Sequence, residues 1–175
     1  MDTSPFPKET LEAAKFSIHD TLPQNPSFAF VGQHFANSQL AYTLIYNLNT
    51  FLYVNPQYSI YLYDLHHKRP IIVPQTSLFN ASTLVDHIGQ LVVLDPWSRI
   101  AANAALIKQV YYYVYDPVVF NYISPQDITI LKNNTLFFTR TSDYRKLLKD
   151  KWAIETSEIL VPDCEIDLII KILGI

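Results

Sequence analysis

An α/β domain built on a doubly wound, mostly parallel sheet with helices on both faces is the fold class this sequence predicts. Two observations carry that expectation. Short apolar runs without proline alternate with stretches of helical periodicity along most of the chain. The runs are apolar almost continuously rather than at every second position, as strands covered on both faces are. The 175 residues, 49% of them hydrophobic, are enough to bury one core of this kind.

Residues 1–25 read as an N-terminal arm, punctuated by Pro5, Pro7 and Pro23, with a short helix at Thr10–Ile18. Residues 26–175 form the single domain. Ser27–Gly32 is an apolar run closed by glycine, a buried strand. Ala41, Leu44, Ile45, Leu48, Phe51 and Leu52 share one face of a helix over about 36–54, stopped by Asn55-Pro56. Tyr58–Leu65 is the second strand, His66–Pro70 a polar turn, and Ile71–Val73 a short third strand. Ser82–His87 makes about one helical turn.

Gln90–Asp95 is a buried strand, and Pro96 suits the first position of a helix that continues over Ser98–Lys108. Ile100, Ala104 and Ile107 face inward on it. Val110–Asp116 is the next strand, with a short helix near Pro125–Leu131 and a strand at Thr135–Thr139. Ser142 caps a helix carrying Tyr144, Leu147, Leu148 and Lys151. Glu158–Val161 is a last strand. Asp163 caps the terminal helix of Ile166, Ile169, Ile170 and Leu173, which Gly174 closes.

Composition excludes several classes. Glycine occurs only 3 times, which argues against a phosphate loop built on repeated glycines. A net charge of −3 leaves no basic footprint, so no nucleic-acid partner is expected. One cysteine, Cys164, cannot form an internal disulfide and fits a reducing compartment. The opening MDTSPFPKETLEAAK lacks the apolar run of a secretory signal, so the two glycosylation-like patterns, at Asn80 and Asn133, read as chance. No stretch approaches the ~20 apolar residues of a membrane span. The expected setting is the cytoplasm, and no cofactor or metal is called for.

Chemistry in such a sheet lies beyond the carboxyl ends of the strands, near the point where strand order reverses. Gly32, Gln33 and His34 follow the first strand, where an imidazole beside a helix N-terminus suits a general base or an anion contact. The plain alternative for His34 is a surface-loop histidine. Asp64 and the His66–Arg69 turn follow the second strand and suit ribose or phosphate contacts, or simply a solvated turn. Neighbouring His66 and His67 point oppositely and lack further ligands, which disfavours a metal.

Asp95 and Asp116 end apolar strands, where α/β enzymes put acid–base carboxylates. Each equally suits a cap or turn before the proline that follows it. Arg140, Thr141 and Ser142 precede a helix whose N-terminal amides suit an anion, or form an ordinary cap. Cys164 reads as a small buried residue rather than a nucleophile. The run Tyr111–Tyr115 suggests a stacking platform, but alternation sends its rings to both faces, so packing against helices is the expected use.

Three stretches carry a family likeness: FVGQHFANSQLAYTLIYNLN, QLVVLDPWSRIAANAALIKQVYYYVYDP and TLFFTRTSDYRKLLKDKWAIETSEILVPDCEIDLI. They look like an opening strand, loop and long helix, then a consecutive strand–helix–strand, then a strand, helix and short strand leading toward a second domain. On them, residues 27–175 resemble the N-terminal, acceptor-side Rossmann-like domain of GT-B glycosyltransferases. The pattern departs from that family in having Gly32 alone where a glycine-rich loop is usual, and Tyr115-Asp116 where a His-Asp pair often stands. The chain ends where the donor-nucleotide domain would be expected to begin.

The resemblance implies a glycosyltransferase-like domain without its donor half, binding a sugar, a sugar nucleotide or a separately encoded partner domain. His34 or Asp116 would act on the acceptor hydroxyl. Gly32, Gln33, Asp95, Arg140, Thr141 and Ser142 would line the ligand. Two other readings stand beside it: a non-enzymatic assembly protein, as a homo-oligomer, that keeps the fold, and a nucleotide-binding or sensing domain.

Overall fold

The computed structural model describes residues 27–33, 35–36, 38–66, 70, 72–103 and 109–175. The expected N-terminal arm lies outside them, as do His34, His67–Arg69, Ile71, Ala104 and Ile107.

Strand β1 is Ser27–Gly32, helix α1 Gln39–Val54, β2 Ser59–Asp64 and β3 Leu78–Asn80. A 3-10 helix, Ala81–Asp86, leads to β4, Gln90–Val93, followed by α2, Pro96–Ala102, and β5, Val110–Val114. A second 3-10 helix, Pro117–Tyr122, precedes α3, Pro125–Lys132, then β6, Thr135–Thr139. Helices α4, Ser142–Trp152, and α5, Ile166–Leu173, complete the order. The strands form one sheet in the order β3-β2-β1-β4-β5-β6, and every neighbouring pair is parallel. This is the strand order of a doubly wound Rossmann-like sheet, and its direction of growth reverses between β1 and β4.

Alternation along each strand divides the core into two layers. Phe28, Phe30, Leu62, Tyr113 and Phe138 face α1 and α5, meeting Leu44, Ile45, Leu48, Ile166 and Ile169. Ala29, Val31, Val93, Tyr112 and Phe137 face the other way, toward Leu84, Ala102, Phe120, Ile128, Leu131 and Leu148. The tyrosines of β5 are buried on both faces as expected. Tyr113 stacks on Phe138 with centroids 5.0 Å apart and donates from its hydroxyl to the Val161 carbonyl at 2.7 Å.

Several elements differ from the sequence reading, each for a local reason. The third strand is Leu78–Asn80, and of the expected Ile71–Val73 the two described residues, Ile72 and Val73, are not in a strand. Asn49 of α1 donates to the Val73 carbonyl at 2.9 Å and accepts from the Gln75 N–H at 2.7 Å, tying that stretch to a helix instead of the sheet. Glu158–Val161 is not a strand. Ser157 and Val161 donate to the Phe137 and Thr139 carbonyls of β6, but between them Arg145 takes the Ser157 and Glu158 carbonyls, and the Ser157 hydroxyl accepts from the Ile159 N–H. A lone bridge, Phe137 to Thr156, is what remains of the ladder.

Ile100 faces out, half exposed, because α2 starts at Pro96 under an Asp95 cap, and that phase turns Ser98, Arg99 and Ala102 inward. Arg99 is buried there and donates to the Thr135 hydroxyl, the Asn103 side chain and the Asn133 carbonyl. The cap of α4 is Thr141, which accepts from the Tyr144 N–H at 3.2 Å, so Ser142 is its first helical residue. At α5 the cap position is Glu165 rather than Asp163, since Cys164 takes a left-handed φ of 58° and inserts a residue between them.

Gly89 is held by close packing as well as by its backbone. Its φ is +137°, and a Cβ there would lie 2.5 Å from the Ser27 carbonyl oxygen. Gly89→Ala is therefore expected to lower stability by about 2 kcal/mol or more. A lower urea midpoint with an unchanged denaturant slope would show it.

Candidate functional site

The reversal of strand order leaves a crevice at the carboxyl ends of β1 and β4. It consists of two adjoining clefts of about 150 Å³ each, which share Leu40, Leu94 and Asp95. The first adds Gly32, Gln33 and Ser38; the second adds Tyr112, Tyr115 and Asp116. The strand order thus brings together four of the expected residues: Gly32, Gln33 and Asp95 at one cleft, and Asp95 again with Asp116 at the other. His34 is outside the described residues. Arg140, Thr141 and Ser142 line neither cleft.

Local chemistry explains each position. Gly32 is needed for a close approach: a Cβ there would meet the Phe35 ring at 3.2 Å and the Leu94 side chain at 3.3 Å. Ser38 caps α1, accepting from the Ala41 N–H at 3.0 Å, and so aims the helix N-terminus at the first cleft. Asp95 ties the crevice shut at its base. Its carboxylate accepts from the Gln33 N–H at 2.9 Å, the Ser98 N–H at 2.8 Å and the Ser98 hydroxyl at 2.5 Å. Three donors on one carboxylate make it a structural anchor.

Asp116 is exposed, and its Oδ1 accepts from the Val118 N–H at 2.9 Å, capping the second 3-10 helix. The cap and the cleft wall are thus the same residue. Arg140 sits beside the second cleft without entering it. Its guanidinium lies 4.2 Å from the centre of the Tyr115 ring, donates to the Pro162 carbonyl at 2.6 Å and meets Asp163 at 3.4 Å. Its charge therefore holds the segment before α5 in place instead of waiting for an anion. Burial pushes the Tyr115 hydroxyl above its ordinary range, and Arg140 pulls it back.

Asp64 ends β2 in register with Gly32, where dinucleotide folds hold a ribose, but it is buried and accepts from the His66 N–H at 2.9 Å. Cys164 is fully buried, and burial pushes its thiol up to about 12, which fits the inert role expected of it. Among the described residues no group of His, Cys, Asp and Glu is gathered as a metal site. No helix there is long and apolar enough to cross a membrane.

Sequence reasoning placed Tyr115 beside Asp116 at the strand end but missed Leu40 and Ser38 as walls of the crevice. A serine just before the amphipathic run was the available signal for Ser38. Fold and rim together define a Rossmann-like α/β domain with a crevice at its switch point. The chain matches no protein-family model, no curated protein and no solved structure.

Asp95→Ala removes an N-cap and unpairs two backbone donors. A loss of about 2–3 kcal/mol is expected, read as a lower urea midpoint. Asp116→Ala, which removes only an exposed cap, should cost about 1 kcal/mol or less in the same assay.

Proposed function

We propose that this chain is the acceptor-side domain of a glycosyltransferase-like architecture, binding a neutral, hydroxyl-rich ligand in the strand-end crevice. The observation that carries this reading is the make-up of the crevice at the switch point. Among the described residues its polar groups are an amide, hydroxyls, the engaged Asp95 carboxylate and the exposed one of Asp116, with an aromatic ring beside them and no lysine or arginine on either wall. Such groups suit sugar hydroxyls and a sugar face better than a phosphate. Asp116 is the group that would accept the proton of an acceptor hydroxyl, with His34 as the other candidate. In this reading the donor nucleotide is held by a separate partner domain.

Thermal denaturation with a panel of mono- and disaccharides tests it. At ten times its Kd a ligand stabilises by about 1.4 kcal/mol, which is a rise of roughly 4 °C for a domain of this size. Gln33→Ala should weaken the effective sugar about three- to tenfold. A shift with free nucleotides and none with any sugar would instead favour the sensing role.

A second surface favours the assembly reading. Trp97 and Ile100 of α2 and Ile130 of α3, with Tyr122 between the helices, are exposed around an apolar groove of about 250 Å³. Large aromatic side chains on such a surface are the usual anchors of a protein interface. If self-assembly is the function, light scattering at micromolar concentration gives a multiple of the chain mass, and Ile100→Asp returns it to the monomer. A monomeric wild-type chain would sink this second reading.

A further inference from the structure

The second layer of the core is unevenly covered. Helices α2, α3 and α4 pack over β1 and β4 to β6, whereas the half over β2 and β3 carries only the 3-10 helix Ala81–Asp86 among the described residues. There, away from the strand-end crevice, a concavity of about 330 Å³ opens. Tyr61 and Tyr63 stand two residues apart on β2 and so share its face. Phe79 of β3 is paired with Tyr63 in the sheet register, and His87 closes the other side from the end of the 3-10 helix.

The rings form walls and not a stack. Phe79 lies 6.0 Å from Tyr61 and 5.6 Å from Tyr63, while His87 lies 6.0 and 5.5 Å from the same two, its plane at 78° to both. Asp86 stands exposed at the mouth, close enough to Tyr63 to help raise its hydroxyl above the ordinary range, after burial and Tyr61. Burial pushes the His87 imidazole below its ordinary range, opposed weakly by the Gln90 backbone, so this wall is uncharged at neutral pH. Its Nδ1 is 3.4 Å from the Tyr63 hydroxyl. Its Nε2 lies beside Gly89, buried and with no hydrogen-bond partner among the described residues.

Aromatic faces carry negative potential, and one carboxylate at the rim deepens it. Among the described residues no lysine or arginine lines the concavity. An anion is repelled there. A hydrated metal ion would lose its shell without a set of oxygen ligands to replace it. A sugar would find few hydrogen-bonding groups, since the Tyr63 hydroxyl already faces His87. The chemistry that fits is a compact cation with an apolar exterior.

We propose that Tyr61, Tyr63, Phe79, His87 and Asp86 form a binding site for an alkylated ammonium group. Its methyl groups contact the ring walls and its charge is balanced by Asp86. The site is separate from the strand-end crevice and independent of what binds there.

Titration of the full chain with choline, followed by NMR of the tyrosine and histidine ring protons, tests this. Choline is expected to bind saturably, and its uncharged isostere 3,3-dimethylbutan-1-ol to bind roughly three- to thirtyfold more weakly. Asp86→Asn and Phe79→Leu should each weaken choline within the same range, and Gln33→Ala should leave it unchanged. Equal affinity for choline and the isostere, or no saturable response to choline or tetramethylammonium, would overturn the proposal. The isostere comparison uses the unaltered chain and so holds even if a variant fails to fold.

Discussion

The Asp95 carboxylate is the contact on which the arrangement of the strand ends depends. A doubly wound sheet diverges at its switch point, because the chain leaves β1 toward one face and β4 toward the other. Something must hold the two departing loops together. Asp95 does so by accepting the Gln33 N–H from the loop after β1 while capping α2 through Ser98. The phase of α2 follows from that cap, and with it the burial of Arg99 against the start of β6. The crevice and the helix behind it thus share one anchor.

The same economy runs around the rim and shapes what the site can do. Polar residues at strand ends are engaged by the chain itself: Asp64 by the His66 N–H, Asp116 by the Val118 N–H, Thr141 by the Tyr144 N–H, and Arg140 by the Pro162 carbonyl and the Tyr115 ring. With Arg140 drawn away, no lysine or arginine among the described residues is left on the cleft walls. The rim is consequently suited to hydroxyls and poorly suited to phosphates, which agrees with the scarcity of glycine on which phosphate loops depend.

Much of the sheet was legible because its signals are local. Proline-free apolar runs marked β1, β2, β4, β5 and β6, Asn55-Pro56 marked the end of α1, and Pro96 and Gly174 marked a helix start and a helix stop. What was illegible depended on distant partners. Ile71–Val73 is the more β-branched segment, yet Asn49 of α1 claims the backbone beside it, and Leu78–Asn80 pairs with β2 instead. Arg145 diverts the carbonyls that would have made a seventh strand. The caps slipped by a residue or more because Cys164 adopts a left-handed turn and Thr141, not Ser142, faces the open amides. The meeting of Asp95 with Asp116 depends on β4 lying beside β5, which strand order alone determines.

Coverage of the sheet explains where binding surfaces remain. Both faces of β5 are sealed, and its three consecutive tyrosines, Tyr111 to Tyr113, are consumed in packing. The connections either side of β3 contain no α-helix among the described residues, and within those residues nothing covers the aromatic side chains of β2 and β3 as α2 covers their neighbours. A strand pair rich in tyrosine and left half-covered has to present ring faces to whatever approaches. Asp86 and His87 then decide the character of that surface, one by adding negative charge and the other by staying neutral. In this chain, then, the centre of the sheet is devoted to holding the fold. Among the described residues, the concave surfaces lie elsewhere: at the switch-point crevice, in the α2–α3 groove and over β2 and β3.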